Sequence, residues 1–467
     1  MKVKTMKKAI AVVFAAALVA PFGLGSQASA KDGDGRQINE RPVANLKQGG
    51  TFRFVQVDIC PNFNTSAIEG NLLNCSQVMA TMLPSFIYFD KDAKIQVDQN
   101  YAKSIKASRV GGKQTVTYDL NPNAKWSDGK KIGLKDFVGM WNALKGTDKT
   151  YKITSSVGYE LDKVVFKALP QAAQIAALLN GEIDYMDIGN DINALKQARD
   201  NAKISVRVAK APTHEHFTFG PVTAVTKEVA VRQAIMLSID RDAIAKAIQG
   251  IVDPKVKPNN NNVFLDGTAC TQDNTGKLGK RDINAAQALL TGAGWSKGAD
   301  GIYQKGGTRL SVKLIYPSAN DNRRDTVLLA SAQAKEAGIE LVPTLIPTAD
   351  YFGKYVLVSN FEMALFAWVG TNFPISSTSN IFRQGAAQNF GNIGSAEIDA
   401  LFTKANNILD PKKRCEFANQ ADAKAYELVH SITLFQRNNV VGVPKNVANF
   451  GAFGFTSIDW TTVGFTK

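Results

Sequence analysis

The feature that most constrains the fold is a strand, a helix and a second strand in close succession between residues 164 and 186. Val164–Ala168 is rich in β-branched residues, and Gln171–Asn180 has helical spacing that ends at Gly181. A glycine directly after a helix favours the left-handed backbone that ends it. Asp184–Met186 then returns to an extended pattern. Strands joined through a helix tend to pair in parallel, so the sequence predicts an α/β architecture.

The rest of the chain continues to alternate between short strands and helices. Residues 104–108 and 114–120 predict a β-hairpin, and Leu134–Leu144 predicts a helix with Asp136 in its first turn. An apolar pattern predicts another helix at Ser76–Phe86. Further strands and helices are predicted at Leu310–Tyr316, Arg324–Ala337, Ile339–Leu345, Phe361–Trp368, Ile398–Leu409, Lys412–Val429 and Ile432–Gln436.

The N-terminus predicts export. Four lysines among the first eight residues precede an apolar run over residues 9–24, and small residues suited to cleavage end at Ala30. We expect 1–30 to be a signal peptide cleaved after Ala30, and the polar segment 31–48 to be a flexible lead-in. An uncleaved N-terminal anchor is the alternative. Because no cysteine lies near the cleavage site to carry a lipid, we expect a free protein in the periplasm or outside the cell.

The formal net charge is +14, and the four lysines of the predicted signal peptide account for part of it, leaving +10. The basic residues are dispersed, without a long Lys/Arg block or a nucleic-acid recognition motif. The sequence therefore argues against nucleic-acid binding. A preference for anionic ligands or for polymers of the cell envelope remains an alternative.

Four cysteines lie in the mature chain, and an even number in an exported protein predicts two disulfides. Three pairings are possible, and we favour a short loop closed by Cys60–Cys75 with a long one closed by Cys270–Cys415. A zinc site is not expected, because there is no Cys-x-x-Cys motif.

The chain has three histidines: His214, His216 and His430. In a strand, His214 and His216 would share one face, which is compatible with a metal. We favour a surface or hinge strand instead, with His430 a third ligand only if the fold brings it close. The sequence contains neither a Gly-x-Ser-x-Gly nor a His-Glu-x-x-His motif, so we expect no enzyme, no metal and no cofactor.

Five stretches, in order, resemble the characteristic segments of the family 5 extracellular solute-binding proteins of ABC importers, which bind oligopeptides, dipeptides or nickel. The likeness runs from about Gly49 to the C-terminus, and FAWVGTNFP and NFGAFGF resemble the actinobacterial type. The stretches are TVTYDLNPNAKWSDGKKIGLKDFVGMWNAL (115–144), LDKVVFKALPQAAQIAALLNGEIDYMDIG (161–189), VRQAIMLSIDRDAIAKAIQG (231–250), AAQALLTGAGW (285–295) and NIGSAEIDALFTKA (392–405).

The resemblance implies a two-lobe periplasmic-binding-protein-like α/β fold of type II, cluster C. We expect lobe I over 49–213, with a subdomain at about 66–150, lobe II over 214–440, and a C-terminal return to lobe I over 441–467. The hinge is expected near 211–216 and 438–442. Family members carry several dozen more residues before LDKVVF, whereas here Ser155–Glu160 runs directly into Leu161. Lobe I is therefore expected to be shortened.

The resemblance also places the ligand site. Binding residues of α/β lobes follow strand ends, and the apolar strand at 361–368 leads into Trp368, Gly370, Thr371, Asn372 and Phe373. Peptide-binding members carry an aspartate in this loop for the ligand's α-amino group, whereas Thr371 and Asn372 are neutral. For Trp368 the alternative to lining the cleft is packing in the core.

Three more residues are candidate ligand contacts. Asn64 and Thr65 follow the strand predicted at Thr51–Val57, and turn chemistry is their alternative role. Asn389 precedes a helix, and a loop-capping amide is its alternative role.

We expect a monomeric receptor that captures oligopeptides between two closing lobes and delivers them to a membrane permease. The absent aspartate motivates one alternative, a receptor for a nickel chelate, an oligosaccharide or an anionic metabolite. The shortened lobe motivates another, a truncated product that binds nothing.

Overall fold

The computed structural model describes residues 36–65, 67, 70–110, 113–144, 163–318 and 320–467. The predicted signal peptide at 1–30 and the shortened junction at 155–160 lie outside these ranges.

The secondary structure alternates between strands and helices along the whole described chain. The first part contains strands Gln37–Ile38 (β1), Thr51–Gln56 (β2), Ile87–Phe89 (β3), Ile95–Val97 (β4), Ala102–Val110 (β5), Lys113–Leu120 (β6), Lys163–Ala168 (β7) and Met186–Asp187 (β8). Its helices are Leu73–Met79 (α1), Leu134–Leu144 (α2), Gln171–Leu179 (α3) and Ile192–Asp200 (α4), with a 3-10 turn at Val43–Asn45.

The middle part begins with the long strand Ile204–Phe219 (β9). Helices follow at Ala224–Lys227 (α5), Val229–Ser238 (α6), Arg241–Gln249 (α7), Ile283–Gly292 (α8), Asp321–Glu336 (α9) and Thr348–Asp350 (α10), with a 3-10 turn at Gly276–Gly279 and a π-helical turn at Tyr351–Val356. The strands are Ser296–Lys297 (β10), Tyr303–Lys305 (β11), Thr308–Arg309 (β12), Ser311–Pro317 (β13), Glu340–Ile346 (β14) and Met363–Val369 (β15). The last elements are helices Pro374–Phe382 (α11), Ala396–Asn407 (α12) and Pro411–Glu427 (α13), and strands Ser431–Pro444 (β16), Val447–Ala448 (β17), Gly451–Ala452 (β18) and Gly464–Phe465 (β19).

The chain divides into two compact units. The first contains the described residues up to Met186, together with Asn201–Arg207 and Val441–Lys467. The second contains Asp187–Asp200 and Val208–Val440. The lobe boundaries predicted from the sequence remain a prediction. They place Asp187–Asp200 in lobe I, whereas this segment groups with the second unit.

Several local predictions agree with the structure. The helix predicted at Leu134–Leu144 has these bounds, and α3 ends before Gly181, whose φ is +74°. The helix predicted around Ser76–Phe86 is present with other bounds, because α1 begins at Leu73 and ends at Met79. Pro84 follows shortly afterwards, and the residue before a proline avoids helical backbone.

The first unit is built on a small parallel sheet and an aromatic core. β2 pairs in parallel with β7, and a parallel bridge joins Phe54 to Tyr185, so β2 lies between the two strands predicted at 164–168 and 184–186. The Phe54 ring stacks on Tyr185 at 4.3 Å, and Phe52 lies 4.9 Å from Phe450. The C-terminal segment therefore completes the core that begins at residue 51.

The prediction of a flexible lead-in was wrong for residues 36–48, and residues 31–35 lie outside the described ranges. β1 pairs with β18, and Leu46 is only 1% exposed. The Asn449 side chain accepts a hydrogen bond from Arg41 N at 2.7 Å and donates one to Arg41 O at 3.0 Å. Burial of an apolar residue and paired backbone groups thus fix a segment whose composition alone predicts mobility.

The second unit is organised around a six-stranded mixed sheet in the order β14-β13-β15-β9-β16-β8. β13 is parallel to both β14 and β15, whereas β15 is antiparallel to β9. Alternate residues of β9 and β15 point to opposite faces. Phe217, Phe219 and Leu365 belong to the large core cluster that includes α6, α8 and α9. Trp368, on the other face, packs against the cluster formed by α11, α12 and α13.

Both predicted disulfides are confirmed. Cys60–Cys75 spans 15 residues and ties the loop after β2 to α1. Cys270–Cys415 spans 145 residues and ties the loop before α8 to α13. Chain-entropy arguments assign such loops about 3 and about 5 kcal/mol of stabilisation.

A buried amide network holds the same loop of the second unit to α13. The carboxylate of Asp422 accepts hydrogen bonds from Asn262 Nδ2 at 2.8 Å and from Asn274 Nδ2 at 2.7 Å. Asn419 accepts from Asn261 Nδ2 at 2.8 Å and donates to Cys270 O at 3.0 Å. Burial raises the pKa of Asp422 to about 6, although the two asparagine amides oppose the rise.

Candidate ligand-binding site

The second unit presents polar and aromatic side chains where its parallel strands end. β13, β14 and β15 run in the same direction, so their carboxyl ends lie at one edge of the sheet. After β13 the chain enters α9, whose cap Asn320 accepts the Arg323 N–H at 3.0 Å. After β15 it enters the loop 370–373. Ligand sites of α/β units form at such an edge.

Trp368, near the end of β15, is half-buried. Its ring lies nearly parallel to those of His216, at 5.8 Å and 13°, and Phe390, at 5.9 Å and 15°. Phe366 meets it edge-on at 5.2 Å. Trp368 therefore packs in a column of rings and keeps part of its surface exposed. Its role in lining the ligand cleft stays a prediction.

The loop after Trp368 is held close to β9. Gly370 N donates a hydrogen bond to Pro212 O, and a Cβ at Gly370 would lie only 3.1 Å from that oxygen. The exposed Thr371 hydroxyl donates to Ser377 Oγ at 3.1 Å and accepts the Phe373 N–H at 3.1 Å. Asn372 and Phe373 are half-buried. The structure thus brings these predicted residues together with Trp368 at one edge.

Asn389 is 9% exposed and all its recorded bonds are internal. Its Nδ2 donates to Arg383 O at 3.0 Å and to Ile393 O at 2.9 Å, and its Oδ1 accepts the Ile393 N–H at 3.2 Å. The His430 ring nitrogen Nε2 also lies 3.2 Å from Oδ1. These contacts fit the loop-capping role of Asn389.

Asn64 and Thr65 belong to the first unit. Asn64 N donates to Asn62 Oδ1 at 2.9 Å, and Thr65 N donates to Phe63 O at 3.1 Å. This is the turn chemistry expected of asparagine. Both side chains are half-buried, and the Cys60–Cys75 disulfide anchors the loop that carries them.

The histidines share a face of β9 as predicted, but the prediction of a surface strand was wrong. His214 is 5% exposed and His216 is fully buried. His214 Nδ1 and both ring nitrogens of His216 have no hydrogen-bond partner among the described residues. Burial lowers the pKa of His214 to about 4 and that of His216 well below its ordinary value. Within the same ranges, no group of three or more His, Cys, Asp or Glu side chains has the arrangement of a metal site.

A charged cluster at this edge was not foreseen from the sequence. Glu215 is buried, and its carboxylate accepts hydrogen bonds from Arg323 Nε at 3.2 Å and Arg323 Nη2 at 3.1 Å. Arg437 Nη1 lies 3.8 Å from the same carboxylate. Burial alone would raise the pKa of Glu215, but the charges of Arg323 and Arg437 outweigh it and hold the pKa below its ordinary value.

Asp187 lies beside this cluster at the end of β8. It is exposed, and its Oδ1 accepts the Gly189 N–H at 3.1 Å. Desolvation by the chain packed around it raises the pKa of Asp187 even though its surface is exposed, and Arg437 and the Gly189 N–H oppose the rise. A charged residue inside an apolar strand pattern, such as Glu215, is the sequence signal that could have pointed to this cluster.

Residues 158–390 match the family described as bacterial extracellular solute-binding proteins, family 5 middle. The oligopeptide-binding protein OppA of Mycobacterium tuberculosis is 29% identical over 519 residues, covering 92% of this chain and 87% of the relative. Since 92% of a 467-residue chain is shorter than 519 residues, the relative contains residues without a counterpart here.

Solved structures share the fold at low identity. The periplasmic EDTA-binding protein EppA superposes with a TM-score of 0.79 at 17% identity, covering 92% of this chain and 98% of that one. The oligopeptide-binding protein AppA of Bacillus subtilis, solved with a nonapeptide, has a TM-score of 0.73 at 17% identity, covering 90% and 100%.

The fold is therefore the α/β fold of the type II periplasmic binding proteins, and the molecule is a solute-binding protein. The chain belongs to the family 5 bacterial extracellular solute-binding proteins, the receptors of ABC importers. Its relatives are described as binding proteins. Among the described residues, no helix combines the length and apolar composition needed to cross a bilayer.

Proposed function

We propose that this receptor captures oligopeptides outside the cytoplasm and delivers them to the permease of an ABC importer. The observation that carries the proposal is the 29% identity, along 92% of the chain, to a protein described as oligopeptide-binding. The strand-end edge of the second unit supports it, because Trp368 offers an aromatic surface beside a loop rich in polar groups. Asn64 and Thr65 of the first unit stay in the proposal as contacts to the peptide main chain.

The proposal includes export through a signal peptide cleaved after Ala30, a monomeric state, and binding by lobe closure. A ligand shifts a conformational equilibrium only by its differential affinity for the two states. A peptide would therefore favour the closed form through contacts that it makes only when the lobes are closed. Small-angle scattering of the purified protein with and without peptide tests this part. A radius of gyration that does not change with saturating peptide would contradict closure.

The first experiment on function is native mass spectrometry of the mature protein, expressed in exported, oxidised form and gently purified. We expect a folded monomer with co-purified peptides. Trp368→Ala should release them, because an aromatic anchor in a binding site contributes several-fold or more to affinity. Trp295→Phe is the matched control, because Trp295 is buried in the opposite core cluster of the same unit.

A receptor for a non-peptide solute is the second candidate. The observation that favours it is the neutral loop at 370–373, and a protein described as EDTA-binding shares the fold. The same spectrum decides between them, because a nickel chelate, an oligosaccharide and an anionic metabolite each have a mass that no peptide ladder reproduces. A spectrum of empty, unfolded protein would instead favour the truncated product.

A further inference from the structure

A carboxylate and a guanidinium face each other across Gly189 in the second unit. A Cβ at Gly189 would lie 3.6 Å from Arg437 Nη2 and 4.0 Å from Asp187 Oδ1, so both groups border the same small space. Gly189 has a φ of +54°, a backbone conformation that side chains other than glycine rarely adopt. Glycine at this position therefore keeps the space between the two charges open.

The two charges do not neutralise each other by direct contact. Among the described residues, the ion pair of Arg437 is with Glu215 at 3.8 Å, and no hydrogen bond is formed by the N–H groups of its guanidinium. Glu215 is already satisfied by Arg323, which donates two hydrogen bonds to it. Asp187 has one recorded hydrogen bond, from the Gly189 N–H, to Oδ1. A guanidinium carries five donors and an ionised carboxylate has two accepting oxygens, so most of this capacity is unused.

Exposure makes this capacity available to a ligand. The Arg437 side chain is 30% exposed and Asp187 is exposed, whereas Glu215 is buried. The loop at 370–373 offers only neutral groups, so Asp187 supplies an acidic group that this loop lacks. The pair therefore offers an accepting carboxylate and a donating guanidinium at the border of one small space.

We propose that Asp187 and Arg437 bind the N-terminal residue of the peptide ligand, with its ammonium group on Asp187 and its carbonyl oxygen on Arg437. This inference rests on the proposed oligopeptide function and names a specificity-determining pair for it. The ammonium nitrogen and the carbonyl carbon of one residue are bonded to the same α-carbon, so the two groups lie close enough to enter a small space bordered by both side chains. Charge-assisted hydrogen bonds of this kind are stronger than neutral ones.

The test measures which peptides the protein retains. Five-residue peptides with free N-termini and the same peptides with N-acetyl groups are mixed at equal concentration with the full mature protein, and bound masses are read by native mass spectrometry. We expect the wild type to favour the free peptides about tenfold or more, corresponding to about 1.4 kcal/mol. Asp187→Asn should abolish this preference while acetylated peptides still bind. It keeps an oxygen for the Gly189 N–H, so it should fold.

Two further variants sharpen the result. Arg437→Gln should weaken both peptide sets, with partial rescue by Arg437→Lys, because the carbonyl contact is common to both. Glu416→Gln removes one negative charge at an exposed position of α13 and should leave the preference unchanged. Retention of the wild-type preference by Asp187→Asn would overturn the inference, as would a wild type that binds both sets equally. A wild type that binds neither set would overturn the proposed oligopeptide function itself.

Discussion

The two faces of β9 bury different kinds of polar group. On one face, Glu215 keeps its charge, and two guanidinium groups, Arg323 and Arg437, surround it. On the other face, His214, His216 and Thr218 are buried with polar atoms that have no partner among the described residues. The strand is the same, and so is the depth of burial.

The difference follows from whether each side chain stays ionised when it is buried. A buried carboxylate without a partner would be very costly, so it is kept only where cations hold it. An imidazole can avoid the cost by releasing its proton, and burial lowers the pKa values of both histidines of β9 accordingly. The buried charge on one face is therefore held by ion pairing, whereas the other face contains neutral polar groups packed between rings.

The largest expected effect on the free energy of unfolding comes from removing the buried carboxylate of Glu215. Glu215→Gln leaves Arg323 without the carboxylate that neutralises it, and Arg323 is only 15% exposed. Removing one partner of a buried ion pair costs about 3–5 kcal/mol. Urea unfolding followed by circular dichroism should show the corresponding fall in the free energy of unfolding of the oxidised mature protein.

The matched control is Glu340→Gln. Glu340 also accepts two hydrogen bonds from an arginine, Arg309, at 2.9 and 3.1 Å, but both side chains are well exposed. Exposed pairs contribute about 0–1 kcal/mol, so this variant should unfold almost like the wild type. Equal losses in the two variants would show that burial does not distinguish the pairs.

The next effect concerns the neutral face and its pH dependence. Burial lowers the pKa of His430 to about 3, that of His214 to about 4, and that of His216 further below its ordinary value. Below pH 6.5 these histidines therefore bind protons in the unfolded chain but stay neutral in the folded state. The stabilising contribution is complete above pH 6.5 and is lost as the pH falls toward 4, by about 1.4 kcal/mol per pH unit for each histidine.

Two variants separate the contributions to this acid loss. His216→Phe fits the surrounding rings and should make the loss of stability between pH 6.5 and pH 5 shallower by about 1.4 kcal/mol per unit. Asp422 acts in the opposite sense, because burial raises its pKa to about 6 and the folded carboxyl takes up a proton first as the pH falls. Asp422→Asn should therefore steepen the acid loss. An unchanged slope in His216→Phe would mean that this imidazole is not held neutral.

Most of the secondary structure could be predicted from local sequence signals. At the start of α7, the Asp240 side chain accepts the Ala243 N–H at 2.9 Å, and aspartate is one of the residues preferred at this capping position. Gly181 and the spacing of Gln171–Asn180 gave α3 correctly. These features depend on residues a few positions apart, so they can be read without the fold. The insertion of β2 beside β7 depends on pairing across more than a hundred residues, and the strand patterns alone do not specify it.

The site divides in the same way. The loop after Trp368 was predicted because a strand end marks it in the sequence. Glu215, Arg323 and Arg437 come together only through the sheet order, which places β9 next to β16. The segment 36–48 is a second example. Its polar composition predicts mobility, although the buried side chain of Leu46 fixes it to the rest of the chain. Composition describes a segment, whereas its partners decide whether it is ordered.

The smallest expected effect compares two buried threonines of the second unit. Thr218, on the neutral face of β9, has a hydroxyl without a partner among the described residues. Thr226, equally buried, donates its hydroxyl proton to Gly220 O at 2.9 Å. Valine has nearly the same shape as threonine, so each Thr→Val change removes mainly the hydroxyl. Thr226→Val should lower the free energy of unfolding by about 1 kcal/mol, while Thr218→Val should leave it unchanged or raise it slightly. A loss of about 1 kcal/mol or more in Thr218→Val would mean that the hydroxyl has a partner in solution, and the neutral face would then be satisfied like the charged one.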